Sequence, residues 1–234
     1  MTSTSLLNTS RTQRPSLVFL HTSPAHIATF NRLRDELVPG LAVGHIVRED
    51  LLCAVQKAGA VSIGVELKLE EALNEAVRAG ATRIVCTCST LGGVAERADV
   101  PGADVMRIDR PMGEQAAWIG GRIAVCAALP ETIGPTLSLV EEEIAKTGRF
   151  TTVQARVFDG IWEDFREGRL RDYREGIAAR LRDVAMTADV VVLAQASMAP
   201  AAAICGDIGV PVLSSPVTGF KAAIADMVPE VLSA

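Results

Sequence analysis

The chain has 234 residues, 49% apolar and 22% charged, enough to bury a core and too apolar for intrinsic disorder. A formal charge of −5 argues against a nucleic-acid surface, and no uninterrupted apolar run reaches the length of a membrane span. Five scattered cysteines (53, 86, 88, 126, 205) fit a reduced, cytoplasmic protein better than a disulfide framework.

Residues 1–15 read as a tail: they are rich in Ser and Thr, carry no acid and lack the apolar stretch of a secretory signal. Leu17–His21 is a compact apolar strand that ends in the small-residue turn His21-Thr22-Ser23-Pro24. Pro24 suits the first turn of a helix, with Ser23 as its cap. Leu41–Val47 is a second strand. From Glu66 to Ala79, Leu69, Ala72, Leu73, Ala76 and Val77 form one helical stripe, ended by Gly80. Arg83–Cys86 and Asp104–Ile108 are further short strands.

The second half repeats this plan. Arg122–Ala128 is a strand, Leu137, Val140 and Ile144 mark a helix, and Thr151–Val157 is the next strand. Leu170–Thr187 is a helix, Asp189–Leu193 and Val210–Leu213 are strands, and Pro216–Leu232 is a final helix. Apolar strands alternating with helices predict an α/β fold with parallel sheets covered on both faces. The segment Ala81–Leu91 lies over Ala188–Met198 at an offset of 107, and Leu17–Ser23 lies over Ala124–Pro130 at nearly the same offset. Two such pairs predict two related lobes about a pseudo-twofold axis. The expected division is a tail at 1–15, a first lobe at 16–110, a second lobe at 111–210, and a strand and helix at 211–234 packing back on the first lobe.

Ligands of open parallel sheets bind beyond the carboxyl ends of the strands. Four turns qualify: His21-Thr22-Ser23, Thr87-Cys88-Ser89-Thr90, Leu129-Pro130-Glu131-Thr132 and Ala194-Gln195-Ala196-Ser197. Helix N-termini at such turns favour a carboxylate. Cys88 is the sharpest residue, just past a strand and at a helix N-terminus, where a thiol pKa is expected to fall. It could exchange a proton with carbon or act as a nucleophile; the alternative is a small buried hydrophobe. Cys86 reads as core, and Cys53, Cys126 and Cys205 as packing residues. His21 ends a strand and is either an acid–base group or a hydrogen-bonded structural residue. His26 and His45 make no such case, and Tyr173 and Trp162 read as packing residues. No zinc spacing and no nucleotide-binding loop is present, so neither a metal nor a nucleotide cofactor is expected.

The segments Val85–Gly92, Ile123–Thr132 and Val190–Met198 resemble, in order and spacing, those of the aspartate/glutamate/hydantoin racemase superfamily. The resemblance spans most of the chain from Leu17 onward. It implies two pseudo-twofold-related Rossmann-like lobes with a site between them and no pyridoxal phosphate, metal or nucleotide. In such racemases one cysteine from each lobe flanks the substrate carbon. Cys88 matches the first; the second position falls on Gln195, whose amide has no acid–base chemistry near neutral pH. Single-cysteine relatives include decarboxylases of malonate-type acids, with the thiol in the second lobe rather than the first. Others isomerise maleate and keep both thiols.

The resulting expectation is a cofactor-independent isomerase or lyase acting on a small carboxylate, with proton transfer through Cys88. Ser89, Thr90 and Thr132 would bind the carboxylate. Gln195, with Ala196 and Ser197 beside it, would orient a substrate oxygen. Thr22 and Ser23 would complete the wall of the first lobe, and His21 is the spare acid–base group. The rivals are an amino-acid or hydantoin racemase with a non-cysteine second base and a non-catalytic carboxylate-binding protein. No nucleic-acid or membrane partner is expected, and self-association is left open.

Overall fold

The structure is a computed structural model that describes residues 15–228. The predicted tail, but for Pro15, and the end of the predicted final helix lie outside the described residues. The described residues divide into two compact units: 15–108 together with 216–228, and Asp109–Ser215.

The first unit contains β1 (Leu17–His21), α1 (Ala25–Leu37), β2 (Val43–Val47), α2 (Glu49–Ala58), α3 (Ile63–Arg78), β3 (Arg83–Cys86), α4 (Ser89–Arg97) and β4 (Asp104–Arg107). Its sheet is parallel throughout, in the order β2-β1-β3-β4. Successive strand residues face opposite sides. Val18, Leu20, Ile84 and Cys86 therefore pack with Leu69, Leu73 and Leu91 on one side. Leu17, Phe19 and Val85 pack with Phe30 and Leu33 on the other.

The second unit contains α5 (Arg110–Ile119), β5 (Gly121–Ala127), α6 (Pro130–Thr147), β6 (Thr151–Val157), α7 (Ile161–Arg166), α8 (Leu170–Ala185), β7 (Val190–Leu193), a 3-10 turn (Ala196–Met198), α9 (Ala199–Cys205) and β8 (Val212–Ser214). Its sheet is also parallel, in the corresponding order β6-β5-β7-β8. Tyr173, Ile177 and Leu181 of α8 cover one face. Met112 and Ala116 of α5, with Val140 of α6, cover the other. Among the described residues no helix is long and apolar enough to cross a membrane.

The registers refine the repeat. Leu20 pairs with Cys86, and Cys126 pairs with Leu193. The first strands thus correspond at an offset of 106 (126 − 20) and the third strands at 107 (193 − 86). On this footing Thr22 corresponds to Ala128, Pro24 to Pro130 and Cys88 to Gln195.

Several expectations are corrected. The strand grouped with the C-terminal segment lies at Val212–Ser214 and pairs with β7, so it belongs to the second sheet. The helix that follows it, α10 (Ser215–Ile224), contributes Phe220, Ala223 and Ile224 to the core of the first unit. Pro24, not Ser23, stands at the cap position of α1, and Ser23 Oγ accepts a long 3.4 Å bond from the Ala25 amide. Cys53 is exposed rather than packed, because Leu51 and Val55 take the core side of α2.

Candidate active site

Cys88 follows β3 by two residues and caps α4 in an extended conformation (φ −92°, ψ 111°). Its carbonyl accepts the Leu91 amide at 3.1 Å, and Ser89 and Thr90 in the first turn are buried with it. The sequence predicts a lowered thiol pKa, but burial pushes the Cys88 pKa up. Hydrogen bonding to the Thr22 hydroxyl, the Leu91 and Thr90 amides and the Thr90 hydroxyl offsets only part of that effect. The helix N-terminus is present, but desolvation outweighs it because the thiol is packed against the core. Cys88 therefore rests as a neutral thiol at neutral pH.

Arg107, at the carboxyl end of β4, is buried and was not singled out by sequence. A Cβ at Gly92 would lie 3.0 Å from the Arg107 Cβ and 3.2 Å from its Nε, so the absent side chain makes room for this arginine.

His21 is fully buried, and both ring nitrogens are engaged. Nδ1 lies 2.8 Å from Thr87 Oγ1 and Nε2 lies 2.9 Å from His45 Nδ1. His45 Nε2 reaches Asn31 Oδ1 at 3.1 Å, and Thr87 Oγ1 reaches the Leu20 carbonyl at 3.1 Å. Burial lowers the pKa of His21 well below the usual imidazole value, with His26 and His45 adding to the effect. Burial likewise lowers His45, with Arg34 contributing, to about 4. The pair is neutral. His45 and Thr87 were missed as functional candidates. The available signal was a histidine inside an otherwise apolar strand, which needs a buried partner.

In the second unit, Gln195 follows β7 and is buried. Its Oε1 accepts from the Ala128 amide at 2.6 Å and the Leu129 amide at 3.1 Å. Two backbone donors fix which end of the amide is oxygen, so Nε2 carries the free donors. Thr22 bonds Cys88 in the first unit, and the corresponding Ala128 bonds Gln195 in the second. Thr132 is buried in the first turn of α6, its amide bonded to the Leu129 carbonyl. Ala196 is buried, and Ser197 Oγ lies 2.8 Å from the Tyr173 hydroxyl, which holds the turn after β7 against α8. Glu131, in the same turn as Thr132, has a buried Oε2 with no hydrogen-bond partner among the described residues.

Of the predicted residues, Cys88, Thr22, Ser89 and Thr90 come together in the first unit. Gln195 meets the turn that leads to Thr132 in the second. Ser23 is half-buried and bonded only to its own helix start. Among the described residues, no group of three His, Cys, Asp or Glu side chains could hold a metal ion.

No protein-family model matches the sequence, and no curated protein matches it. Solved structures do. The glutamate racemase from Bacillus anthracis aligns at TM-score 0.62 and 14% identity, over 92% of this chain and 82% of that one. The aspartate racemase of Picrophilus torridus aligns at TM-score 0.63 and 10% identity, over 92% and 94%. The allantoin racemase from Pseudomonas fluorescens aligns at TM-score 0.53 and 14% identity, over 92% and 91%. Two four-stranded parallel sheets flanked by helices match the two-lobed fold of these racemases.

Proposed function

We propose that this chain, built on the fold of the aspartate, glutamate and allantoin racemases, is a cofactor-independent enzyme of the aspartate/glutamate/hydantoin racemase superfamily. It moves a proton at the carbon next to a carboxylate, with Cys88 as the acid–base group. The observation that carries the reading is the environment of Cys88: a buried thiol at the start of α4, where the Thr22 and Thr90 hydroxyls and the Leu91 and Thr90 amides act against the effect of burial to favour the thiolate.

Burial keeps the sulfur protonated, so it is ready to donate. With a malonate-type acid, the bond to one carboxyl carbon breaks and carbon dioxide leaves. The electron pair stays on the substrate as an enediolate. The Cys88 S–H proton then passes to carbon, and solvent returns a proton to the thiolate. The Ser89 and Thr90 hydroxyls and the α4 amides stabilise the charge that develops on the substrate oxygens. Thr22 steadies the transient thiolate, with Ser23 beside it, and Thr132, Ala196 and Ser197 complete the binding residues. Gln195, with its oxygen already occupied, offers Nε2 as a donor to a substrate oxygen. It cannot serve as a second base, which favours protonation from one face and a lyase or one-sided isomerase. His21, with both nitrogens engaged, acts through Thr87. Free thiols throughout the described residues fit a reducing, cytoplasmic setting.

The test is solvent deuterium incorporation into a panel of small mono- and dicarboxylates. The wild type should label at least one. Cys88→Ser should lower labelling or turnover by about 1,000-fold or more, because a serine hydroxyl is far less acidic than a thiol. Full activity in the Cys88→Ser protein overturns the reading, and tight carboxylate binding without any turnover favours a binding protein instead. The second reading is a racemase whose second base is Glu131, favoured by its buried, unpartnered Oε2. A racemic product from the wild type in deuterated water supports it.

A further inference from the structure

The β1–β3 ladder ends at the bond from the Thr87 amide to the Leu20 carbonyl, 2.9 Å long. Beyond it, Thr22 follows His21 and Cys88 follows Thr87, so continuing the Leu20–Cys86 register sets the hydroxyl and the thiol side by side at the two strand ends. The side-chain bond from His21 Nδ1 to Thr87 Oγ1 continues the tie between these two ends past the last backbone bond. We infer that the buried chain Asn31–His45–His21–Thr87 is a positioning device that holds the Thr22 hydroxyl against the Cys88 thiol. The inference rests on the reading of Cys88 as the acid–base group.

The chemistry of the chain supports a fixed geometry. Buried polar groups are costly unless bonded; His21, His45 and Thr87 are buried and each is bonded, with the half-buried Asn31 of α1 closing the chain. With two neutral imidazoles, the bonds can be satisfied in one consistent direction. His45 Nε2–H donates to Asn31 Oδ1, and His21 Nε2–H donates to His45 Nδ1. The Thr87 hydroxyl then donates to His21 Nδ1. Turning the Asn31 amide over reverses the direction, and His21 Nδ1–H then donates to Thr87 Oγ1, whose proton goes to the Leu20 carbonyl. In both, His21 grips Thr87. Phe19 and Phe30 lie against the His21 ring, with centroids 6.1 Å and 5.5 Å away, and restrict its tilt. The chain stops at Thr87 and does not reach the sulfur, so it orients Cys88 rather than exchanging protons with it.

The experiment reads the pH dependence of Cys88 alkylation by iodoacetamide, resolved by peptide mass spectrometry in a Cys53→Ser background that removes the exposed thiol. Asparagine can replace the Nδ1 contact of a histidine and glutamine the Nε2 contact. His21→Asn should therefore keep the Thr87 bond and the wild-type midpoint. His21→Gln should lose the bond and raise the midpoint by about one pH unit, as should Thr22→Val, which removes the hydroxyl itself. Thr87→Val and Thr87→Ser repeat the comparison from the other strand, with only Val shifting the midpoint. Equal shifts in His21→Asn and His21→Gln, or in the two Thr87 variants, overturn the inference, as does an unmoved midpoint in Thr22→Val. The readout needs no turnover, so failure here is distinct from failure of the Cys88 reading, which the Cys88→Ser activity decides.

Discussion

At the residue scale, Cys88 and Gln195 occupy corresponding places, and each is gripped by the corresponding residue of the preceding turn. Thr22 bonds the thiol with its side chain, whereas Ala128, with no side-chain hydroxyl, bonds the amide with its backbone. The position of Cys88 was legible in sequence, because a strand, a turn and a helix start bracket it. Its protonation state was not, since that depends on how completely distant segments exclude water. The same contrast applies to Gln195: sequence shows only that an amide stands where the family resemblance places a second thiol, and the fold shows that two backbone amides hold its oxygen. Gln195→Cys should release those amides and restore the second thiol implied by the family resemblance. With a substrate carrying an exchangeable proton at a chiral carbon, the wild type should give one enantiomer in deuterated water. The variant should give a mixture approaching racemic. Unchanged enantiomeric composition in an active variant counts against a pairing of positions 88 and 195 in the chemistry.

At the element scale, the strands were the most legible parts. β1, β3 and β6 have their predicted bounds, because fully apolar runs or β-branched residues leave few alternatives over so short a length. The partner of each helix was less legible. A helical stripe shows that one face must be covered but not by which sheet: α10 joins the core of the first unit although it follows a strand of the second sheet. The docking of α10 rests on a close backbone approach. A Cβ on Gly219 would stand 2.1 Å from the Ile108 carbonyl oxygen and 2.6 Å from the Ile108 side chain. Arg83 then ties the segment beyond α10 in place, bonding the Ala223 carbonyl at 3.0 Å and Asp226 through both guanidinium nitrogens. Gly219→Ala should cost about 2–3 kcal/mol, because a backbone oxygen cannot rotate away as a side chain can. Urea unfolding measures this, and a loss below about 0.5 kcal/mol would show that α10 shifts at little cost.

At the scale of the whole molecule, the histidines set the response to acid. Burial lowers His26 from 6.5 to about 4; burial first and Arg34 second bring His45 to about 4; His21 is lowered as well. The unfolded chain therefore takes up protons between about pH 6.5 and pH 4 that the folded chain does not. Stability should fall as pH drops through this window and be insensitive to these groups above it. For His26 and His45 the loss between pH 7 and pH 5 is about 2 kcal/mol each. Thermal melts over this range should show a decline that is reduced in His45→Gln. A melting temperature that is level from pH 7 to pH 5 would mean that these rings protonate without opening the fold.

The sequence by itself determined the α/β class, the parallel strands, the duplicated plan and the placing of Cys88 and Gln195 at strand ends. These follow from local periodicity and from a repeat that survives in the strand–turn–helix segments. The tertiary structure decided the assignment of β8 to the second sheet, the burial that keeps Cys88 protonated, the amides that orient Gln195, and the His45–His21–Thr87 chain. Each of these joins residues remote in sequence: 24 positions separate His21 from His45, and 66 separate His21 from Thr87. Hydrogen-bond geometry and desolvation depend on distances that arise only when the strands pair, so no local pattern carries them.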